Sequence, residues 1–308
     1  MFKRDAFVTN HLGQITAGLL LCAVAIGLNP VDSFAAPAVD GQSVTVPAQP
    51  YPKSALRQRL ASQGKTIPDV DNSLQADIPA QYYPPTSTAL ASDTGHAAIV
   101  ALPDCNDRFP ESWIKKLQND GIGVLLISPN QAHPSQAYCT EGSLEAPKHG
   151  LTYWAFDALS ALQYLTTQDE IDPNRIAVFG YGYGAGAAQL AIYRHGHAKH
   201  SKTQFKALIG LRPQCMSEMD NLAPSLLIGL KDDPFNPPVW CHWRLDRDLS
   251  PDLAPNREPV RFEVFESGET IEKQATRKHL SIESSPAIVA MVTNFLLESH
   301  VTEKNTQN

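Results

Sequence analysis

The chain of 308 residues is 43% hydrophobic and 19% charged, a composition that excludes disorder of the whole chain and suffices for one large domain or two modest ones. Its formal net charge of -7 gives no electrostatic reason to hold a nucleic-acid backbone or an anionic lipid surface, so nucleic acid is not an expected partner.

At the N-terminus Lys3 and Arg4 precede an apolar run from Leu12 to Leu28, and the small residues Ser33 and Ala35 follow it. This is the layout of an export signal over residues 1–35, cut near Ala36, which places the protein in the periplasm or outside the cell with no membrane contact afterwards. The alternative is an uncleaved anchor, because the run is close to the shortest segment that spans a bilayer. Cys22 follows the bulky Leu21, which argues against lipidation. Residues 36–92 are rich in Pro, Ser and Gln and read as an extension outside the core, in which only "SALRQRLASQ" suggests a short helix.

From residue 93 the element types alternate. "AAIVAL" (97–102) is a buried strand, "PESWIKKLQND" an amphipathic helix and "IGVLLIS" (122–128) a second strand; a long loop containing His133 and His149 follows. In "LTYWAFDALSALQYLTTQ", Leu151, Trp154, Ala158, Leu162 and Leu165 fall on one helical stripe. "RIAVFG" (175–180) is a strand that feeds the helix "AGAAQLAIYRHGH" through a glycine-rich turn. "KALIGLRP", "SLLIGLKDD" and "VRFEVFE" are further strands, and "SPAIVAMVTNFLLES" is a final helix before a polar tail, 301–308. Strands apolar throughout and separated by helices predict one α/β domain over 93–300, with a mostly parallel central sheet covered by helices on both faces.

The turn reads Gly180-Tyr181-Gly182-Tyr183-Gly184. In the pattern G-x-S-x-G a serine nucleophile stands at a sharp strand-to-helix turn, between glycines that let backbones approach closely. Here the outer glycines are present and the central position is Gly182, which carries no attacking atom. Glycine also occupies tense turn angles without strain, so it suits such a bend when no chemistry is required of it. The competing dinucleotide fingerprint needs an acidic residue at the end of the next strand; "KALIGLRP" ends in Arg212 and Pro213, so no cofactor is expected.

With "DPNRIAVFG" (172–180) ahead of the turn, Asp157 in the preceding helix and "LIGLKDD" (227–233) as a later strand end, the chain from about 95 to 298 resembles the dienelactone hydrolase family of the α/β-hydrolase fold. The resemblance implies ester or lactone hydrolysis by a Ser or Cys, His and Asp triad, and it puts the triad carboxylate at Asp232. The nucleophile position is Gly182. The segment expected to carry the histidine contains Ser267, Glu269 and Thr270 but no imidazole, with His279 displaced beyond it. The loop after the first strand is Pro103-Asp104-Cys105-Asn106-Asp107, whose carboxylates are expected to repel a developing oxyanion. The expectation is a degenerate member with a binding or scaffolding role, its ligand held by Asp104, Cys105, Gly182, Tyr183 and Asp232 at the carboxyl ends of the strands. A working hydrolase using displaced residues such as His279 is the alternative.

Export leaves four cysteines. Of their three pairings, Cys105 with Cys139 and Cys215 with Cys241 each close a local loop; buried free thiols are the other possibility. His195, His197 and His200 cluster at a helix end, where capping explains them better than a metal, and none is expected. "PVWCHWRLD" brings Trp240, His242, Trp243 and Arg244 together, either packed against a disulfide or lining a pocket or interface.

Overall fold

The computed structural model describes residues 41–49, 55–65, 76–86, 95–105, 107–133, 150–248, 258–266 and 285–302; the expected export signal lies outside them. The strands are β1 (Gln42–Val46), β2 (Ile78–Tyr83), β3 (His96–Leu102), β4 (Gly123–Ile127), β5 (Ile171–Tyr181), β6 (Leu208–Leu211), β7 (Ser225–Leu230) and β8 (Val260–Phe265). The helices are α1 (Ala55–Ser62), α2 (Glu111–Asn119), α3 (Pro129–Ala132), α4 (Gly150–Leu165), α5 (Tyr183–Ile192), α6 (Val239–Asp248) and α7 (Pro286–Glu298). One sheet runs in the order β1-β2-β4-β3-β5-β6-β7-β8. The strands from β4 to β8 pair in parallel, while β2 is antiparallel to both of its neighbours.

The period of two explains why the central strands are apolar at every position. Ala98, Val100 and Leu102 of β3 face Trp154 and Leu162 of α4 and Ala187 of α5. Ala97, Ile99 and Ala101 face the opposite layer, which holds Trp113 and Leu117 of α2 and Ile288 and Phe295 of α7. Both faces are dry, so neither set can be polar. Among the described residues no helix is long and apolar enough to cross a membrane.

The stretch read as an extension outside the core contributes two strands. Val46 and Ile78 are completely buried and Ala80 nearly so, and all three belong to the layer that contains α4 and α5. Pro79 disguises β2, since proline removes a ladder donor and a strand containing it reads as a turn. Its carbonyl still accepts from Ser128 N–H at 2.9 Å, tying β2 to the end of β4. Strand β5 also begins earlier than its apolar run, at Ile171, where the register against β3 shifts between His96 and Ala98.

Ile78→Ala should therefore cost about 2–5 kcal/mol, the range for a buried aliphatic truncation, in urea unfolding followed by circular dichroism. A loss under about 0.5 kcal/mol, as at an exposed site, would show that β2 is peripheral.

Candidate functional site

Strand β5 ends at Tyr181 and helix α5 starts at Tyr183, so the turn between them is the single residue Gly182, with φ 55° and ψ -116°. Side chains rarely adopt this backbone, and glycine adopts it freely. The turn is pinned by Gly182 N–H donating to Leu211 O at 2.8 Å. A Cβ on Gly184 would lie 2.3 Å from Pro103 O and 2.4 Å from Leu102 O, so glycine there lets the first turn of α5 sit against the end of β3.

That close approach brings Asp104 over the turn. A Cβ at Gly182 would lie 2.4 Å from Asp104 Oδ1, 2.5 Å from its Cγ and 2.9 Å from Oδ2, so the carboxylate occupies the space into which a side chain at the turn would project. Oδ1 accepts from two backbone amides, Tyr183 N–H at 3.0 Å and Cys105 N–H at 2.8 Å. One amide begins α5 and the other follows β3, the two places from which an elbow hydrolase draws its oxyanion donors. The loop is braced by Asp104 N–H to Arg108 O and Asp107 N–H to Asp104 O, both 2.9 Å, and by Asn130 Nδ2 donating to Cys105 O at 2.6 Å. Burial pushes the Asp107 carboxyl above its ordinary range, against the pull of hydrogen bonds from Asn130.

At the end of β7, Asp232 is exposed and the buried carboxylate is its neighbour Asp233. Arg212, at the end of β6 with φ 54°, grips it with Nε to Oδ2 at 2.7 Å and Nη2 to Oδ1 at 3.2 Å. Phe235 and Asn236 N–H also donate to Oδ1, at 3.0 and 3.1 Å. Burial alone would raise the Asp233 carboxyl, but the hydrogen bonds and charge of Arg212, with the two amides, outweigh it and hold the group below its ordinary range. Burial likewise opposes the guanidinium, and Asp233 overcomes it, raising Arg212. Both oxygens of Asp233 are thus committed to an ion pair. Thr270 and His279 lie outside the described residues.

His133, expected in a solvated loop, is instead buried, with Nε2 3.0 Å from Asp157 Oδ2 and 3.2 Å from Oδ1. Its Nδ1 has no hydrogen-bond partner among the described residues. Burial pushes the Asp157 carboxyl up despite the opposing pull of His133. His149 lies outside the described residues. The expected Cys215–Cys241 disulfide is present, joining the loop after β6 to α6. Cys105 is also disulfide-bonded, so it offers no thiolate; Cys139, its expected partner, lies outside the described residues. The clustered imidazoles separate to different neighbours, His195 to Asp220 at 3.1 Å and His197 edge-on to Phe156 with ring centres 5.3 Å apart. Among the described residues no three His, Cys, Asp or Glu side chains form a group that could hold a metal.

Sequence reasoning missed Arg212–Asp233 and His133–Asp157, and only the adjacent acids Asp232 and Asp233 hinted at the first. Because the folded Asp233 carboxyl lies below its ordinary value of 3.8, the stability it contributes is fully present above that pH and is lost as pH falls through the lower folded value. Asp233→Asn should lose about 3–5 kcal/mol at pH 7 by leaving Arg212 unpaired, and should flatten this acid limb in unfolding titrations.

No protein-family model matches the chain, and no curated protein matches it in sequence. Similar solved structures include esterase 2 of Thermogutta terrifontis phosphoramylated by tabun, 15% identical, covering 76% of this chain and 93% of that one, with a TM-score of 0.52. The native thermophilic esterase of the same organism is 13% identical, covers 77% and 92%, and also has a TM-score of 0.52. At these identities the likeness concerns architecture alone, and together with the sheet and the layers on its two faces it establishes that the chain has an α/β-hydrolase fold.

Proposed function

We propose that this chain is an exported relative of the dienelactone hydrolases whose triad is degenerate and whose crevice binds a ligand without cleaving it. The observation that carries this reading is the Asp104 carboxylate seated on the amides of Tyr183 and Cys105. Acyl transfer needs an attacking atom, a base and donors aimed at the charge that develops in the transition state. The donors here already hold a charge. Removing one such donor typically costs about 100- to 1000-fold in rate, and a resident carboxylate both engages two and repels the incoming oxyanion, by about 4 kcal/mol at 4 Å and an effective dielectric constant of 20.

The other components support the same reading. Gly182 supplies no nucleophile, Cys105 is oxidised, and Asp233 is spent on Arg212. The disulfide between Cys215 and Cys241 is compatible with an oxidising compartment, periplasmic or outside the cell. A small molecule or a protein surface would meet Asp104, Cys105 and Asp232 at the carboxyl ends of the strands, with no cofactor involved, whereas Gly182 and Tyr183, expected to share in this contact, are buried, the Tyr183 ring edge-on to Trp154.

Purified protein should leave short-chain p-nitrophenyl esters uncleaved above the buffer rate and should form no adduct with an organophosphonate by intact mass. Turnover abolished by Asp232→Ala or His279→Ala would establish displaced catalysis and overturn the binding role. Gly182→Ser should create no esterase, and it should destabilise by about 2–4 kcal/mol through left-handed strain and collision with Asp104. Combined with Asp104→Ala, the two losses should fall short of their sum by about 1 kcal/mol or more, because removing the carboxylate admits the serine.

A further inference from the structure

Seven large hydrophobic residues are exposed among the described residues, and six of them, Met216, Phe235, Val239, Trp240, Trp243 and Val264, surround α6. Cys241 and Leu245 form the helix's inward stripe, and the disulfide to Cys215 fixes its position. Trp240 and Trp243, three residues apart, are 57% and 48% exposed, so about half of each indole faces solvent. Phe235 is 67% exposed just before the helix. Arg244 donates to Met216 O at 2.7 Å, which brings Met216 to the same surface. Val239 and Val264 line one open cleft of about 580 Å³ with His242, Lys231 and Glu266. Solvent-facing positions of a surface helix are ordinarily polar, and paired tryptophans flanked by arginines have the composition of an interface core.

We propose that this face pairs two copies of the chain about a two-fold axis. Its rim carries charges of both signs, with Lys231 bound to Glu266 at 2.8 Å and Arg247 near Glu218 at 3.9 Å. A balanced rim complements itself under two-fold symmetry, whereas it selects neither a strongly charged protein nor an anionic membrane. In area, half-exposed aromatics and their aliphatic neighbours present roughly 500 Å² of apolar surface, which at the ~65% apolar content of homodimer interfaces corresponds to about 770 Å² per partner, against about 800 Å² for a standard interface. Trp243 already carries Arg247 and Arg244 over its ring at 4.5 and 5.2 Å. In an antiparallel pairing of the two α6 helices, the half bearing these arginines faces the half bearing the partner's Trp240, and an arginine over that indole adds a cation–π contact.

The exported protein should sediment as a dimer at micromolar concentration. Trp240→Glu and Phe235→Glu should each weaken dimerisation at least about thirty-fold while leaving circular dichroism and the disulfide intact. Leu56→Glu, an exposed apolar site on α1, which lies in sequence between β1 and β2, should leave it unchanged. Hydrogen exchange of the unmutated protein provides a readout free of folding defects, since amides of α6 should lose protection on dilution. A wild-type monomer throughout the range, a dimer that survives both α6 variants, α6 exchange independent of concentration, or a monomer that uses Trp240 to hold a different macromolecule would each overturn the pairing. These outcomes are independent of whether the crevice is catalytic.

Discussion

A carboxylate resting on two backbone amides at the head of α5 is the contact on which the strand-to-helix turn depends. The N-terminus of a helix concentrates unpaired N–H groups and partial positive charge, so it attracts an anion whenever one can be supplied. A hydrolytic site leaves that attraction open until the transition state, because only interactions that strengthen during the reaction accelerate it. With Asp104 in place, the amides of Tyr183 and Cys105 are already occupied by a carboxylate in the folded protein. Gly182 is the geometric counterpart of this arrangement, since any Cβ there would enter the carboxylate. The glycine and the aspartate are therefore a matched pair.

The same tendency extends to the neighbouring loops. Asp107, Arg212 and Cys215 all hold positive φ without being glycine, at the carboxyl ends of β3 and β6. Such backbone costs of order 1–3 kcal/mol per residue and persists only where neighbours over-determine it. Each of these residues is held from a second direction, Asp107 by Asn130, Arg212 by Asp233 and Cys215 by Cys241. The loops thus combine tense backbone with side chains that are engaged with one another.

Much of this architecture was legible in the sequence. Buried parallel strands announce themselves by unbroken apolar runs, and the outer glycines of the turn survive because backbone contact at Gly184 forbids any substituent whatever the chemistry. Strand β2 was hidden by Pro79, whose effect on the ladder depends on a partner distant in sequence. The choice between Asp232 and Asp233 turns on which of two adjacent carboxylates faces the interior, a one-residue question that composition cannot answer. The seat of Asp104 on Tyr183 spans 79 residues, and His133 meets Asp157 across 24, so neither follows from local spacing. Asp104 lies at the turn, as its place after the first central strand led one to expect, and its carboxylate is seated on the amides of Tyr183 and Cys105.

Under the proposed reading these features have one energetic consequence. Active sites ordinarily cost stability, because they keep donors unfilled and charges uncompensated for a substrate that is absent most of the time. Here the oxyanion donors are filled by Asp104, and the buried acid is compensated by Arg212. Once the reaction ceases to matter, substitutions that fill these vacancies are favourable and no longer opposed. The outer face of α6 shows the reverse situation, since about half of each indole there faces water. An apolar patch of this kind marks a surface suited to association, and it carries the proposed pairing of two copies independently of the chemistry at the turn.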